Sequence, residues 1–129
     1  MSTAVLLSIK PKFAHAIFSG EKKYEFRKAV YKDKSIKVIY VYASAPISKV
    51  IGSFYVNEIL EQDLDSLWEN TNAYAGITEA YFLEYFADRT SGYAIEVGKA
   101  KLFDEPKPLH EMFGFNHPPQ SFCYVPFKN

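Results

Sequence analysis

Residues 36–43, Ile-Lys-Val-Ile-Tyr-Val-Tyr-Ala, constrain the fold more than any other stretch of the chain. They are β-branched or aromatic at nearly every position, so the strand they form is apolar on both faces. A strand of that kind is central and needs a covering layer on each side. Ser44-Ala45-Pro46 ends it. Further strands are predicted at 5–9, 22–29, 50–59, 93–103 and 122–125, with Gly52 marking a bulge or a point of close packing. Pro11 opens a helix whose stripe is Phe13, Ala14, Ala16 and Ile17, and Gly20 stops it. Asp63 or Asp65 caps a second helix bearing Leu64, Leu67 and Trp68, and Thr78 caps a third bearing Tyr81, Phe82, Tyr85 and Phe86. The order of strands and helices lacks regular βαβ alternation. It therefore predicts an α+β fold, a small partly closed barrel with helices at its rim.

At 129 residues the chain suits one compact domain spanning 1–129. Its 22 aromatic rings are far too much apolar mass for a disordered tail, and most of them belong to a core. The lone Cys123 precludes an intramolecular disulfide and points to a reducing, cytoplasmic setting. No apolar run approaches the roughly 20 residues of a membrane span, and the N-terminus soon meets Lys10 and Pro11, so neither an anchor nor a signal peptide is expected. His15, His110 and His117 are far apart, and none combines with Cys123 in a zinc-ligand spacing. A Gly-rich phosphate loop and a serine elbow are also missing, so no metal and no cofactor are expected.

The formal net charge of zero conceals a division. Residues 1–37 hold nine Lys/Arg against three Asp/Glu, a surplus of six positive charges, and the remaining residues carry the opposite surplus. A local positive field of this kind attracts an anionic partner despite a neutral average, although a lysine-rich stretch also serves simply as a solvated face. Within the basic third, 22–29 alternates so that Tyr24, Phe26 and Lys28 share one strand face and Lys23, Glu25 and Arg27 the other. An acid and a base thus sit two residues apart on one face.

The segment Gly20-Glu21-Lys22-Lys23-Tyr24-Glu25-Phe26-Arg27 matches Gly-x-Lys-x-x-Glu-x-Arg at all four fixed positions. With Ser8-Ile9-Lys10-Pro11, Tyr42-Ala43-Ser44-Ala45-Pro46 and Pro118-Pro119-Gln120-Ser121-Phe122, it resembles ASCH domains, a branch of the PUA-like superfamily, in a small bacterial or phage form. The resemblance implies a pseudo-barrel of about six strands with flanking helices, a cleft beside the first helix, and RNA binding or RNA-related regulation. It also implies an alternative. Some small ASCH proteins are hydrolases of N4-acylated cytidine, using a Lys and a Thr nucleophile, and others are ribonucleases. By this correspondence the catalytic lysine is Lys22. The Thr position falls on Glu25, whose carboxylate does not replace an activated hydroxyl.

The residues also read physically. Lys22, Arg27 and Lys10 suit a phosphate or a base carbonyl, Lys10 standing where the free N–H groups of a helix start add to its charge. Glu25, Ser44, Gln120 and Ser121 suit the edge of a nucleobase. Aromatics such as Tyr24, Tyr42 or Trp68 offer faces for a single-stranded base. Each has a plainer role: Glu25 with Arg27 or Lys22 as an ion pair, Gln120 and Ser121 as partners of backbone groups, the rings as packing. The expected partner is RNA or a nucleoside, bound by Lys10, Lys22, Glu25, Arg27, Ser44, Gln120 and Ser121, with Lys22 and Glu25 as an acid/base pair if the protein is an enzyme. The oligomeric state is not legible.

Overall fold

The computed structural model describes residues 3–128. Strand β1 (Thr3–Ile9) leads into helix α1 (Pro11–Ser19), followed by β2 (Tyr24–Arg27), β3 (Val38–Ala43) and β4 (Lys49–Asp63). Helices α2 (Leu64–Thr71) and α3 (Glu79–Tyr85) precede the long β5 (Ser91–Lys107), then α4 (Leu109–Phe113) and β6 (Phe122–Pro126). All six strands form one mixed sheet in the order β2-β5-β4-β3-β1-β6, with β1 and β3 parallel and every other pairing antiparallel.

The ladder itself does not close. β2 ends one side of the sheet and β6 the other, yet Arg27 on β2 reaches across, donating from Nη2 to Ser8 O on β1 at 2.9 Å and from Nη1 to Ser121 Oγ at 3.2 Å. A side chain thus spans the seam that a barrel would fill with backbone hydrogen bonds. The fold is α+β and a pseudo-barrel, in line with the expectation.

Strand alternation sorts the apolar side chains into separate cores. Val5, Leu7 and Ile9 on β1 join Ile39 and Val41 on β3, with Ala14 and Ile17 of α1 packed over them. The opposite face, Ala4, Leu6, Val38, Tyr40 and Tyr42, packs against Leu109 of α4. β3 is therefore buried along its whole length, as its sequence demanded. A third cluster forms where α2 and α3 fold back from the tip of the β4–β5 hairpin, so that Leu67, Phe82 and Phe86 cover Phe26 of β2. Trp68 belongs to it, its ring 4.9 Å from that of Phe82.

The predicted stops and caps match. Gly20 terminates α1 with φ +90°, Asp63 Oδ2 accepts from Ser66 N at 3.1 Å, and Thr78 Oγ1 accepts from Tyr81 N at 3.1 Å. At Gly52 a Cβ would stand 2.5 Å from Lys101 O and 2.6 Å from the Phe18 ring, and the β4 register shifts there as well. Strand β2 is shorter than predicted at both ends, with Lys22 and Lys23 before it and Lys28 and Ala29 in the bend that follows. α4 was not foreseen, because its five residues lack a capping side chain and are too few to show a period.

Tyr31 is buried in the first core, and its hydroxyl has no hydrogen-bond partner among the described residues. Burial pushes its pKa up to about 12. Tyr31→Phe removes an unsatisfied buried donor and should raise stability by about 1 kcal/mol at neutral pH. A phenol whose folded pKa exceeds its unfolded value of 10.0 contributes stability that is lost as pH rises through the folded value. Urea midpoints across that alkaline range should therefore fall more steeply for the native protein than for Tyr31→Phe.

Candidate nucleic-acid site

The signature segment has a structural logic at each fixed position. Gly20 takes the left-handed conformation that turns the chain out of α1, and Lys22 N then donates to Ala16 O at 3.0 Å, holding the returning chain against the helix. In β2 the alternation points Phe26 toward Phe82 and Phe86, their ring centroids 5.2 and 6.4 Å away. Glu25 and Arg27 project from the opposite face, where Glu25 is paired in register with the core residue Ile95. The spacing of the acid and the base thus sends both into the pseudo-barrel.

Three charged side chains meet there, all buried. Arg27 Nη2 lies 3.0 Å from Glu25 Oε2, and Lys22 Nζ lies 3.9 Å from Glu25 Oε1. Lys22 is only 2% exposed, a rarity for lysine. Its stem passes beneath Gly76, its ammonium donates to Ala75 O at 2.8 Å, and the rings of Phe13 and Phe26 stand 5.5 and 4.9 Å from Nζ. Burial lowers its pKa, Glu25 partly restores it, and Arg27 lowers it further. Arg27 spends its terminal nitrogens on Glu25, Ser8 and Ser121, while its Nε is buried with no partner among the described residues.

These groups line a cleft of about 160 Å³ together with Ser8, Lys10, Phe13, Tyr81 and Tyr85. α1 and α3 form its opposed walls, meeting where Phe13 packs edge-on against Tyr81 at 5.2 Å. Lys10 stands at the N-terminus of α1, exposed, with Nζ 3.5 Å from Tyr81 Oη. The volume is below the roughly 300–1,000 Å³ of sites that enclose a whole small molecule, and it suits a fragment such as one phosphate or one base. Three cations against one carboxylate favour an anion.

Of the residues singled out from sequence, Lys10, Lys22, Glu25 and Arg27 converge on this cleft, and Ser121 borders it through its bond from Arg27. Ser44 and Gln120 do not line it: Ser44 is half-buried, its backbone N bonded to Ile9 O at 3.0 Å, and Gln120 is exposed. Among the described residues no cluster of His, Cys, Asp or Glu could hold a metal ion, and no helix is long and apolar enough to cross a membrane.

A family model described as the ASCH domain matches residues 7–106. The chain belongs to the ASCH domain family. Over 128 residues it is 35% identical to an ASCH domain-containing ribonuclease of Zymomonas mobilis, covering 93% of this chain and 82% of that protein. A crystal structure of ASCH from the same organism superposes with a TM-score of 0.86 at 29% identity, covering 95% of this chain and 87% of that one. A variant of that protein with serine changed to alanine gives a TM-score of 0.87 at 28% identity, with the same coverage.

Two ASCH cleft residues escaped the sequence reading. Tyr81 and Tyr85 stand four apart on α3, as do the core residues Phe82 and, at the helix C-cap, Phe86, and only the hydroxyls distinguished the wall facing the cleft from the wall facing the core. The rings named instead are engaged elsewhere: Tyr42 is buried in the second core, while Tyr24 and Trp68 pack against the third.

Proposed function

We propose that this ASCH domain binds single-stranded RNA and seats one phosphate or one base in the Lys22–Glu25–Arg27 cleft, in a role in RNA metabolism or its regulation. The observation carrying this reading is that two buried cations share a single carboxylate, with Lys10 and two tyrosine hydroxyls at the same cleft. The arrangement keeps positive charge, and Arg27 Nε keeps an unspent donor. The similarity to a protein named a ribonuclease points the ligand toward RNA.

A second reading, cleavage of the bound RNA, is favoured by that same relative and by Lys22. Burial holds its ammonium below the ordinary lysine range, so it gives up a proton more readily than an exposed lysine. Lys22 and Glu25 then act as the acid/base pair, and Arg27 offsets the charge of the reacting phosphate. Removal of an acyl group from N4-acylcytidine is the less favoured hydrolysis, because Glu25 occupies the position of the nucleophilic hydroxyl.

Fluorescence anisotropy with labelled single-stranded RNA at low salt tests the binding, and denaturing gels of the same mixtures test cleavage. Lys10→Ala should weaken binding about equally for all sequences and reduce the salt slope by roughly 0.7. An affinity that does not respond to salt would sink the phosphate reading. Products that form as fast with Glu25→Gln remove Glu25 from the chemistry.

A further inference from the structure

A second groove, of about 580 Å³, lies on the outer face of β3, β4 and β5. Lys99, Lys101 and Phe103 alternate along β5 and so share one face of that strand. In register across the sheet, Tyr40 pairs with Ser53 and Ser53 with Lys101, while Tyr55 on β4 is half exposed. Lys107 and Lys128 complete a lining of four lysines. Glu111 is the one acid among the described residues of that lining, and it is already paired with Lys107 at 3.5 Å. Asp104 and Glu105, although on β5, lie outside it.

The charge division along the chain hid this groove. Beyond residue 37 acids outnumber bases two to one, yet the fold gathers four of the six bases there onto one surface. A third depression lies between the groove and the cleft. This depression, along the α1–β5 edge, has Lys22 in common with the cleft and Lys99 with the groove, and Lys23 and the acid Glu96 also line it. Lys99 and Lys101, in no ion pair among the described residues, beside the half-exposed ring of Tyr55 suit a single strand of nucleic acid, whose phosphates track the charge while its bases stack.

Resting on the RNA reading of the cleft, we propose that this groove is a second subsite that holds the strand flanking the nucleotide seated in the cleft, with Lys99 and Lys101 meeting phosphates and Tyr55 stacking a base. Affinity then grows with RNA length. Neither lysine belongs to the cleft, so neither governs the binding of a very short RNA.

The test compares labelled oligouridylates of about 4 and about 12 nucleotides, lengths within the range of single-strand site sizes. The native protein should bind the longer RNA at least about tenfold more tightly. Lys99→Gln combined with Lys101→Gln should abolish that gain, lower the salt slope for the longer RNA by about 1.4, and leave the short RNA unaffected. Tyr55→Ala, at an exposed position that does not endanger folding, should independently weaken the longer RNA by about fivefold or more. Equal affinity of the native protein for both lengths overturns the groove while leaving the cleft. Binding of the longer RNA unchanged in the double variant also overturns it, and leaves the groove for an acidic protein segment. A loss that is equal for both lengths assigns the lysines to the cleft and overturns a separate subsite. Absence of binding to either RNA overturns the cleft reading and the groove with it.

Discussion

Glu25→Ala is expected to lower the unfolding free energy by about 3–5 kcal/mol, because it leaves two cations buried without a counter-charge. For a chain of this length that loss corresponds to a fall of roughly 10–18 °C in Tm. Arg27 keeps its bonds to Ser8 and Ser121, and Lys22 keeps Ala75, but none of these three oxygens carries a full charge. The pH dependence separates this cause from simple loss of packing. Lys22 has a folded pKa below its ordinary 10.5, so between those values the folded state binds fewer protons than the unfolded one, and stability rises with pH. Glu25 is the group that raises that pKa, so its removal depresses it further and widens the window. The deficit of Glu25→Ala should therefore shrink as pH rises from neutral toward 10.5, because Lys22 can shed its charge although Arg27 cannot. Glu25→Gln retains an acceptor for Arg27 and should cost less. Urea denaturation of the three proteins across this range checks all of these signs, and a deficit constant with pH excludes the charge argument.

Why the shared face of Glu25 and Arg27 was legible while the burial of Lys22 was not follows from where the information lies. Alternation in β2 assigns both side chains to one face from sequence alone, and the face is the inward one. The burial of Lys22 depends on Phe13, Phe26 and the Ala75–Gly76 turn, which arrive from three other segments of the chain. No local pattern announces that. The same limit applies to the arms of the β4–β5 hairpin, which run past the predicted ends to Asp63 and to Lys107. Glu58 and Glu61 are exposed there and supply no apolar period, so only pairing with the opposite arm defines the strand. The charge division along the chain identified the segment that carries the cleft, but strand pairing brings Lys99 and Lys101 beside Tyr40 and Tyr55 irrespective of that division.

Gly76→Ala is expected to displace Lys22 and thereby weaken RNA binding by about tenfold, the scale of one lost charge-assisted contact. Gly76 adopts φ +69°, and a Cβ there would stand 2.5, 2.6 and 2.9 Å from Cβ, Cγ and Cδ of Lys22. These are the root and middle of the side chain, and its tip is fastened to Ala75 O, so the stem cannot swing clear without giving up that bond. The left-handed backbone costs about 1–2 kcal/mol for alanine and the crowding about 1–3 kcal/mol more. Gly114 supplies the comparison, having φ +80° with nothing within 4 Å of its would-be Cβ. Gly114→Ala therefore bears the backbone cost alone. The difference in urea midpoint between the two variants isolates the crowding of Lys22, and the difference in RNA affinity measures what its position contributes to the cleft. If the two variants match in stability and both bind RNA as the native protein does, Lys22 is not held in place by this turn, and its burial has to be credited to the rings of Phe13 and Phe26.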